Sequence, residues 1–322
     1  MEKNRGNLKR VVAIGGGTGL STILRGLKKL NIDLTAIVTV ADDGGSSGML
    51  REEMQMPPPG DIRNVLVALA EREPLFMQLF QHRFKNGHHL AGHSLGNLII
   101  AAMQEITGDF VTAVQTLSRV FRVRGRVLPA ANHSIGLVAE MTDGTVVKGE
   151  SNIPKARKRI ARLSLSPEKI EALPEAVEAV KQADLIVVGP GSLYTSILPN
   201  LLVPGIREGL LDSKAKMVYI CNVMTQPGET DGYTAEDHVQ AIYDHVGHSL
   251  FDVVVVNRGE IPQDVLKQYA LEDAFPVQYQ SGSLDKLTGR VIEDQLFMIN
   301  NYLRHDADKV AQIVLRCLDD RF

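Results

Sequence analysis

The chain has 322 residues, a formal net charge of -3, and 44% hydrophobic against 23% charged residues, which suffices for a large core in one α/β domain or a domain with an insertion. This balance argues against disorder and lacks the basic excess that binding to a nucleic-acid backbone requires, so no nucleic-acid partner is expected. Cys221 and Cys317 lie far apart without metal-ligand spacing and read as reduced core thiols of a cytoplasmic protein. The opening MEKNRGNLKR is not read as a signal peptide, and no apolar run is long enough for membrane insertion.

In chain order, the β-branched run Val11 to Ile14 stops at Gly15-Gly16-Gly17, and Leu20, Ile23, Leu24 and Leu27 then recur at helical spacing. A second β-branched stretch, Leu34 to Val40, ends in Asp42-Asp43-Gly44-Gly45-Ser46-Ser47-Gly48, which completes a strand, helix, strand unit with parallel pairing. A long loop through Pro57-Pro58-Pro59-Gly60 leads to Asp61 as the N-cap of a helix through Val65, Leu66 and Leu69. Residues 75–123 show helical periodicity, broken at Lys85 to His93 and at Thr107-Gly108-Asp109. Ile135 to Ser151 alternates around Asp143-Gly144 and predicts a small antiparallel ribbon. The strand-and-loop pattern resumes at Leu185 to Val188, Met217 to Asn222 and Asp252 to Asn257, and Ala307 to Leu318 reads as a closing amphipathic helix capped by Asp306. The expected fold is a single Rossmann-like α/β domain over 1–322: a mostly parallel sheet flanked by helices, with a helical and β-ribbon insertion at about 75–165.

The polar loops follow strand ends, where open α/β sheets place their ligands. Gly15, Gly16, Gly17, Thr18 and Gly19 open a helix directly after a strand, so bare amides and the positive helix end can face a phosphate; the other reading is a tight turn without a ligand. Leu20 stands where the dinucleotide fingerprint has its third glycine, and no P-loop lysine is present, which excludes a nucleoside triphosphatase of that type. Asp42 and Asp43 stand where an acid can bind ribose hydroxyls, and Gly44, Ser46 and Ser47 offer amides and hydroxyls to a phosphate; alternatively the run is a linker with capping aspartates. Asp61, Arg63 and Asn64 bring a carboxylate, a guanidinium and an amide to a helix start, and Arg63 either clamps a diphosphate or is a surface arginine beside a cap. Gly92, Ser94 and Gly96 fit the nucleophile-elbow spacing, but no strand precedes them, so His93, Ser94 and Asn97 read as polar ligand contacts rather than hydrolytic groups. Gly189, Gly191 and Ser192 form a second glycine loop, Asn222 and Thr225 a third polar loop, and Arg304 sets a cation before the last helix; turn and cap chemistry is the alternative for the latter two. No metal site and no catalytic residue are assigned.

Taken together, Gly15 to Gly19, Ala41 to Gly48, Pro59 to Asn64, Gly92 to Asn97 and Gly189 to Ser192 resemble the CofD/YvcK family, and Asn222 to Thr230 with Arg304-His305-Asp306 resemble its YvcK branch of bacterial gluconeogenesis factors. The resemblance implies a Rossmann-like cytoplasmic protein that binds UDP-sugars such as UDP-N-acetylglucosamine and is needed for cell shape and growth on gluconeogenic carbon sources, with no required cofactor. The CofD branch instead implies transfer of a phospholactyl group from a nucleotide diphosphate donor to a deazaflavin alcohol; only the aromatic stretch from Phe76 to Phe84 suggests an acceptor pocket. Asp42, Asp43, Asp61 and Arg63 match the family site. Three readings stand in order: a nucleotide-sugar-binding regulatory protein, a phosphoryl-type transferase, and an NAD-dependent enzyme, NAD also being able to occupy the groove as a diphosphate mimic. A regulatory output calls for a protein partner or a conformational change, and a homo-oligomer is compatible with the sequence.

Overall fold

The computed structural model describes residues 8–71, 74–299 and 302–319. β1 (Arg10–Gly15), α1 (Gly17–Leu27) and β2 (Asp33–Val38) form the first parallel unit. A long crossover carries α2 (Gly45–Met54), α3 (Gly60–Leu69), α4 (Pro74–Gln81), α5 (Leu95–Thr107) and α6 (Phe110–Val120) to β3 (Arg126–Pro129), which pairs parallel to β2. β4 (Gly136–Met141), β5 (Val146–Lys148) and β6 (Ile160–Ser166) build a separate antiparallel sheet. α7 (Pro174–Gln182) leads into β7 (Leu185–Val188), and a π-helical turn over Leu193–Ile197 continues as α8 (Leu198–Leu201) and α9 (Pro204–Leu211). Next come β8 (Lys216–Ile220), α10 (Ala235–Val246), β9 (Val253–Asn257), α11 (Gln263–Ala270), α12 (Ser281–Leu284) and β10 (Arg290–Asp294). A two-stranded ribbon of β11 (Phe297–Ile299) and β12 (Leu303–His305) precedes the closing α13 (Ala307–Leu318).

The main sheet has seven strands in the order β10-β9-β8-β7-β1-β2-β3, every neighbouring pair parallel. Its central strands are apolar on both faces, as a parallel sheet covered by helices on either side demands; Val11 to Ile14 and Leu185 to Val188 are all buried. Chain direction across the sheet reverses between β1 and β7, where Ile14 pairs with Val188. Such a switch point opens a crevice beyond the strand ends, and both glycine loops leave the sheet there.

Leu20, Ile23, Leu24 and Leu27 of α1 are fully buried, each side chain contributing roughly 1.5–3 kcal/mol. Packing against α3 and α13 therefore anchors α1, and its opposite face is free to present Thr18 and Arg25 to solvent. Asp306 caps α13 through the Asp308 and Lys309 amides, as its position predicts.

Some elements differ from the sequence-based expectation. The Gly45–Met54 segment is helical rather than loop, and the helix expected to be capped by Asp61 starts two residues earlier, with Pro59 at the N-cap and Asp61 in its first turn. Segment 75–165 is not a single excursion, because β3 returns to the main sheet between the helices and the ribbon. The ribbon itself gains a third strand, β6. Both cysteines are buried free thiols. Among the described residues no helix is long and apolar enough to cross a membrane.

Candidate functional site

The first loop leaves β1 at Gly15. Gly16 stands at the N-cap of α1 without a side chain of its own to bond the first-turn amides. Gly17 takes a φ of +60°, a left-handed conformation that favours glycine, and its amide hydrogen-bonds the Asp61 carboxylate. Gly19 lies directly against the second loop: a Cβ there would press into the Pro190 carbonyl and reach 2.9 Å from Gly191 Cα. The two glycine loops are thus in backbone contact.

The second loop is held from β8. Asn222 grips Gly191 on both sides, donating from Nδ2 to its carbonyl at 2.9 Å and accepting its amide on Oδ1 at 3.1 Å. Gln226 Nε2 donates to Ser192 Oγ at 2.7 Å. Underneath, the buried Glu229 accepts from the Tyr194 amide and the Thr195 hydroxyl, which fixes the π-helical turn; burial pushes its pKa up to about 7. Thr225 is tied to Phe275, accepting that residue's amide on Oγ1 at 2.9 Å. The Gly191 amide is therefore engaged by Asn222, and the second loop serves as a braced wall rather than as an open ring of donors.

Beyond the loops lies a crevice of about 550 Å³. Gly16, Gly17, Thr18, Gly19, Asp42, Asp61, Gly191, Ser192, Asn222, Thr225 and Arg304, all picked out from the sequence, line it. Arg304 reaches over from β12, its Nη1 donating to Thr18 Oγ1 at 3.2 Å. His305 beside it bonds the Cys221 carbonyl through Nε2, and burial lowers its pKa to about 4, so the ring is neutral at pH 7.

Sequence reasoning did not find Glu150, Tyr269 or Glu272, which also line the crevice. Glu150 comes from the turn after β5, brought over by the Ser151 amide donating to Asp43 Oδ1 at 2.8 Å. Asp43 thus holds the ribbon in place and does not line the crevice, while Asp42 turns one carboxylate oxygen onto the Gly44 amide at 3.0 Å. Burial first, then the charges of Asp42, Asp43, Glu229 and Asp61, push the Glu150 pKa up to about 8. Burial and the charge of Asp42 push Asp61 to about 7, against opposing pulls from the Gly17 amide and Arg63. Among the described residues no cluster of three or more His, Cys, Asp or Glu is arranged to hold a metal ion.

The remaining predicted residues lie elsewhere. Gly15 and Gly189 sit within or just after their strands, with Asn200 Nδ2 donating to the Gly15 carbonyl. Ser46, Ser47, His93, Ser94, Asn97 and Arg63 form a polar network that ties α2, α3 and α5 together, and none of them lines the crevice. Arg63 Nη1 donates to Ser94 Oγ at 2.6 Å and Asn97 Oδ1 at 3.0 Å, and its Nη2 to Asn64 Oδ1 at 2.9 Å. Asn97 Nδ2 donates to Ser46 Oγ at 3.0 Å, Ser94 caps α5 through the Asn97 amide, and Ser46 Oγ meets His93 Nδ1 at 3.2 Å. The diphosphate clamp expected of Arg63 and the ligand contacts expected of His93, Ser94 and Asn97 give way to internal bonds, because α5 packs these groups against the serines of α2. Ser94 has no preceding strand and sits beneath Arg63, as the rejection of a hydrolytic elbow anticipates.

A family model described as 2-phospho-L-lactate transferase CofD matches residues 11–297, which includes every wall of this crevice up to β10. The chain belongs to the CofD family. The gluconeogenesis factor of Bacillus subtilis is 56% identical over 316 residues, spanning 98% of this chain and 100% of that protein. The gluconeogenesis factor of Halalkalibacterium halodurans is 58% identical over 308 residues, spanning 95% of this chain and 96% of its own. A crystal structure of a upf0052 family member from Bacillus halodurans superposes with a TM-score of 0.93 at 57% identity, covering 96% of this chain and 99% of that one. The resemblance in the glycine loops thus extends to nearly the full length of the CofD-family relatives.

Proposed function

We propose that this chain is a cytoplasmic gluconeogenesis factor of the YvcK kind that binds a UDP-sugar such as UDP-N-acetylglucosamine in the crevice at the β1–β7 switch point, and through it influences growth on gluconeogenic carbon sources and cell shape. The observation that carries the reading is the glycine-lined start of α1, whose N-cap residue has no capping side chain, set at the strand ends, braced by the second glycine loop and overlooked by Arg304. In this arrangement the diphosphate lies over Thr18 and Gly19 with Arg304 as its cation, while Asp42 and Tyr269 offer hydrogen bonds to hydroxyls. The acid-rich remainder of the wall suits a sugar and a ribose better than further phosphates. The gluconeogenesis-factor names of the two relatives support the physiological half of the proposal.

Calorimetry with UDP-N-acetylglucosamine, UDP and NAD tests it. Saturable heat with the UDP-sugar is expected, and Asn222→Ala, which frees Gly191, weakens that binding about tenfold. No heat from the UDP-sugar at millimolar concentration would remove the reading. The match to the transferase family model favours phospholactyl transfer as the second reading, and product formed from a phospholactyl guanosine donor and a deazaflavin alcohol would put it first.

A further inference from the structure

A second cavity, of about 410 Å³, opens on the outer face of α1 and shares Thr18, Arg304 and His305 with the crevice. The two cavities differ in charge. Asp42, Asp61, Glu150 and Glu272 face the crevice, whereas no carboxylate lines the second cavity. Its wall is built from Thr18, Thr22 and Arg25, one stripe of α1 at helical spacing, with Asn64 of α3, Gln81 of α4 and Arg304 of β12.

Ser21 and Thr22 on this wall donate their hydroxyls to carbonyls of α1, whereas the guanidinium and amide groups have little to donate to. The hydrogen bond that Arg25 makes is a long one to its own helix, from Nη1 to the Ser21 carbonyl at 3.4 Å. Among the described residues, neither Arg25 nor Arg304 has a carboxylate partner. Partial desolvation, then the charge of Arg304, lowers the Arg25 pKa, so the two guanidinium groups feel each other. Asn64 gives its oxygen to Arg63 and keeps its amide nitrogen, and the Gln81 amide has no bond among the described residues. With His305 neutral, no negative group among the described residues lines this cavity, although Arg304 on its other side borders the carboxylate-lined crevice and lies over the Tyr302 ring. Two like charges at one cavity without a counter-ion are unfavourable until an anion enters.

We propose that this cavity binds the phosphate of a small phosphorylated metabolite as a second ligand beside the crevice, gripped by Arg25 and Arg304 and met by the amides of Asn64 and Gln81. Phosphate rather than carboxylate is assigned because two forked guanidinium groups and two amides match its several oxygens and double charge. The volume left beyond one phosphate admits a short carbon chain, so an ester is the natural guest. This site goes beyond the nucleotide reading: it shares Arg304 with the crevice, and Arg25, which does not line the crevice, sets it apart.

Calorimetry at fixed ionic strength with inorganic phosphate, glycerol 3-phosphate and acetate, with and without UDP present, is the test. Glycerol 3-phosphate binds at least as tightly as inorganic phosphate, acetate gives no heat, and Arg25→Gln weakens both phosphates by about tenfold or more while the UDP-sugar heat persists. Gln81→Glu, a change at an exposed position, places a carboxylate on the rim and repeats the test should Arg25→Gln fail to fold. Phosphate affinity untouched by both variants, or no phosphate heat at millimolar concentration, would overturn the site, and binding of inorganic phosphate without the ester would overturn the metabolite. Protein that takes up glycerol 3-phosphate but gives no heat with UDP-N-acetylglucosamine would defeat the nucleotide reading alone.

Discussion

Two polar clusters of this molecule use nearly the same residue types to opposite ends. At the α2–α5 junction, serines, an asparagine, a histidine and an arginine close on one another, and only Arg63 Nε among the network's described side-chain atoms is buried without a partner. At the β1–β7 switch point, glycines, serines, an asparagine and acids stand around an open volume, with bonds that run behind the surface rather than across it. In sequence both look like ligand loops, since each sets Gly, Ser and Asn at a helix start. What separates them is whether a second helix is packed onto the polar face. α5 lies on α2 and fills the first cluster, while among the described residues no helix packs over the start of α1, which borders the open crevice.

If the first cluster is structural, its loss shows in stability. Arg63→Ala removes three donated bonds and leaves Asn97 Oδ1 and Asn64 Oδ1 without that donor in a half-buried setting, so unfolding free energy falls by about 3 kcal/mol in urea denaturation. Arg63→Lys recovers less than half of this, because a point charge cannot reach three acceptors in a fork. A folded Arg63→Ala with unchanged stability but weakened UDP-sugar binding would return the residue to the ligand site and erase the contrast. The second cluster is probed at its point of closest approach. Gly19→Ala drives a methyl into the Pro190 carbonyl and must separate the two loops, at a cost of roughly 1–3 kcal/mol with loss of UDP-sugar affinity. Unchanged melting and affinity would show that the loops need no backbone contact.

The strands that carry the crevice were legible because a parallel sheet demands continuous β-branched runs, and β1, β2, β7, β8 and β9 all have them before a glycine or polar turn. α2 was not legible. Gly45 to Gly48 has the composition of a linker, and its helix depends on burying Ser46 and Ser47 against His93 and Asn97, distant in sequence, while Gly48 packs on the backbone of Asp43. β3 is four residues ending in proline, and β11 and β12 are three residues each, too short for any period to register. Half of the predicted site residues line the crevice because loops at strand ends converge there whatever their sequence. Glu150 escaped because it is delivered by a ribbon whose anchor, Asp43, lies more than a hundred residues earlier. Arg25 escaped because a lone arginine on a helix carries no motif, and only the fold sets it near Arg304.

The smallest effect separates the clusters by pH. For the crevice carboxyls burial and mutual repulsion outweigh the nearby cations: Glu150 is pushed up to about 8 and Asp61 to about 7, so each keeps its proton in the folded state where the unfolded chain has lost it. A raised folded-state pKa gives stability that is fully present below the unfolded value and is lost as pH rises through the folded one. Stability of the free protein therefore falls from about pH 4, where the unfolded carboxyls ionise, to about pH 8, where Glu150 has lost its proton in the folded state as well. His305, lowered to about 4, acts in the opposite sense between that value and its unfolded value near 6.5, so it offsets part of the fall there and the loss is steepest just above pH 6.5. Glu150→Gln removes the proton from the balance, and the fall should shrink by about 1 kcal/mol after allowing for the partial exposure of the side chain. Binding follows the same sign. A diphosphate adds negative charge beside these groups and favours their protonated forms, so UDP-sugar affinity decreases as pH rises through 7 to 8 and complex formation there takes up protons. Calorimetry in two buffers of different ionisation enthalpy reads that uptake directly. An affinity that rises with pH, or a release of protons, would mean that the carboxyls meet the ligand ionised and that the anionic end of the nucleotide lies away from them.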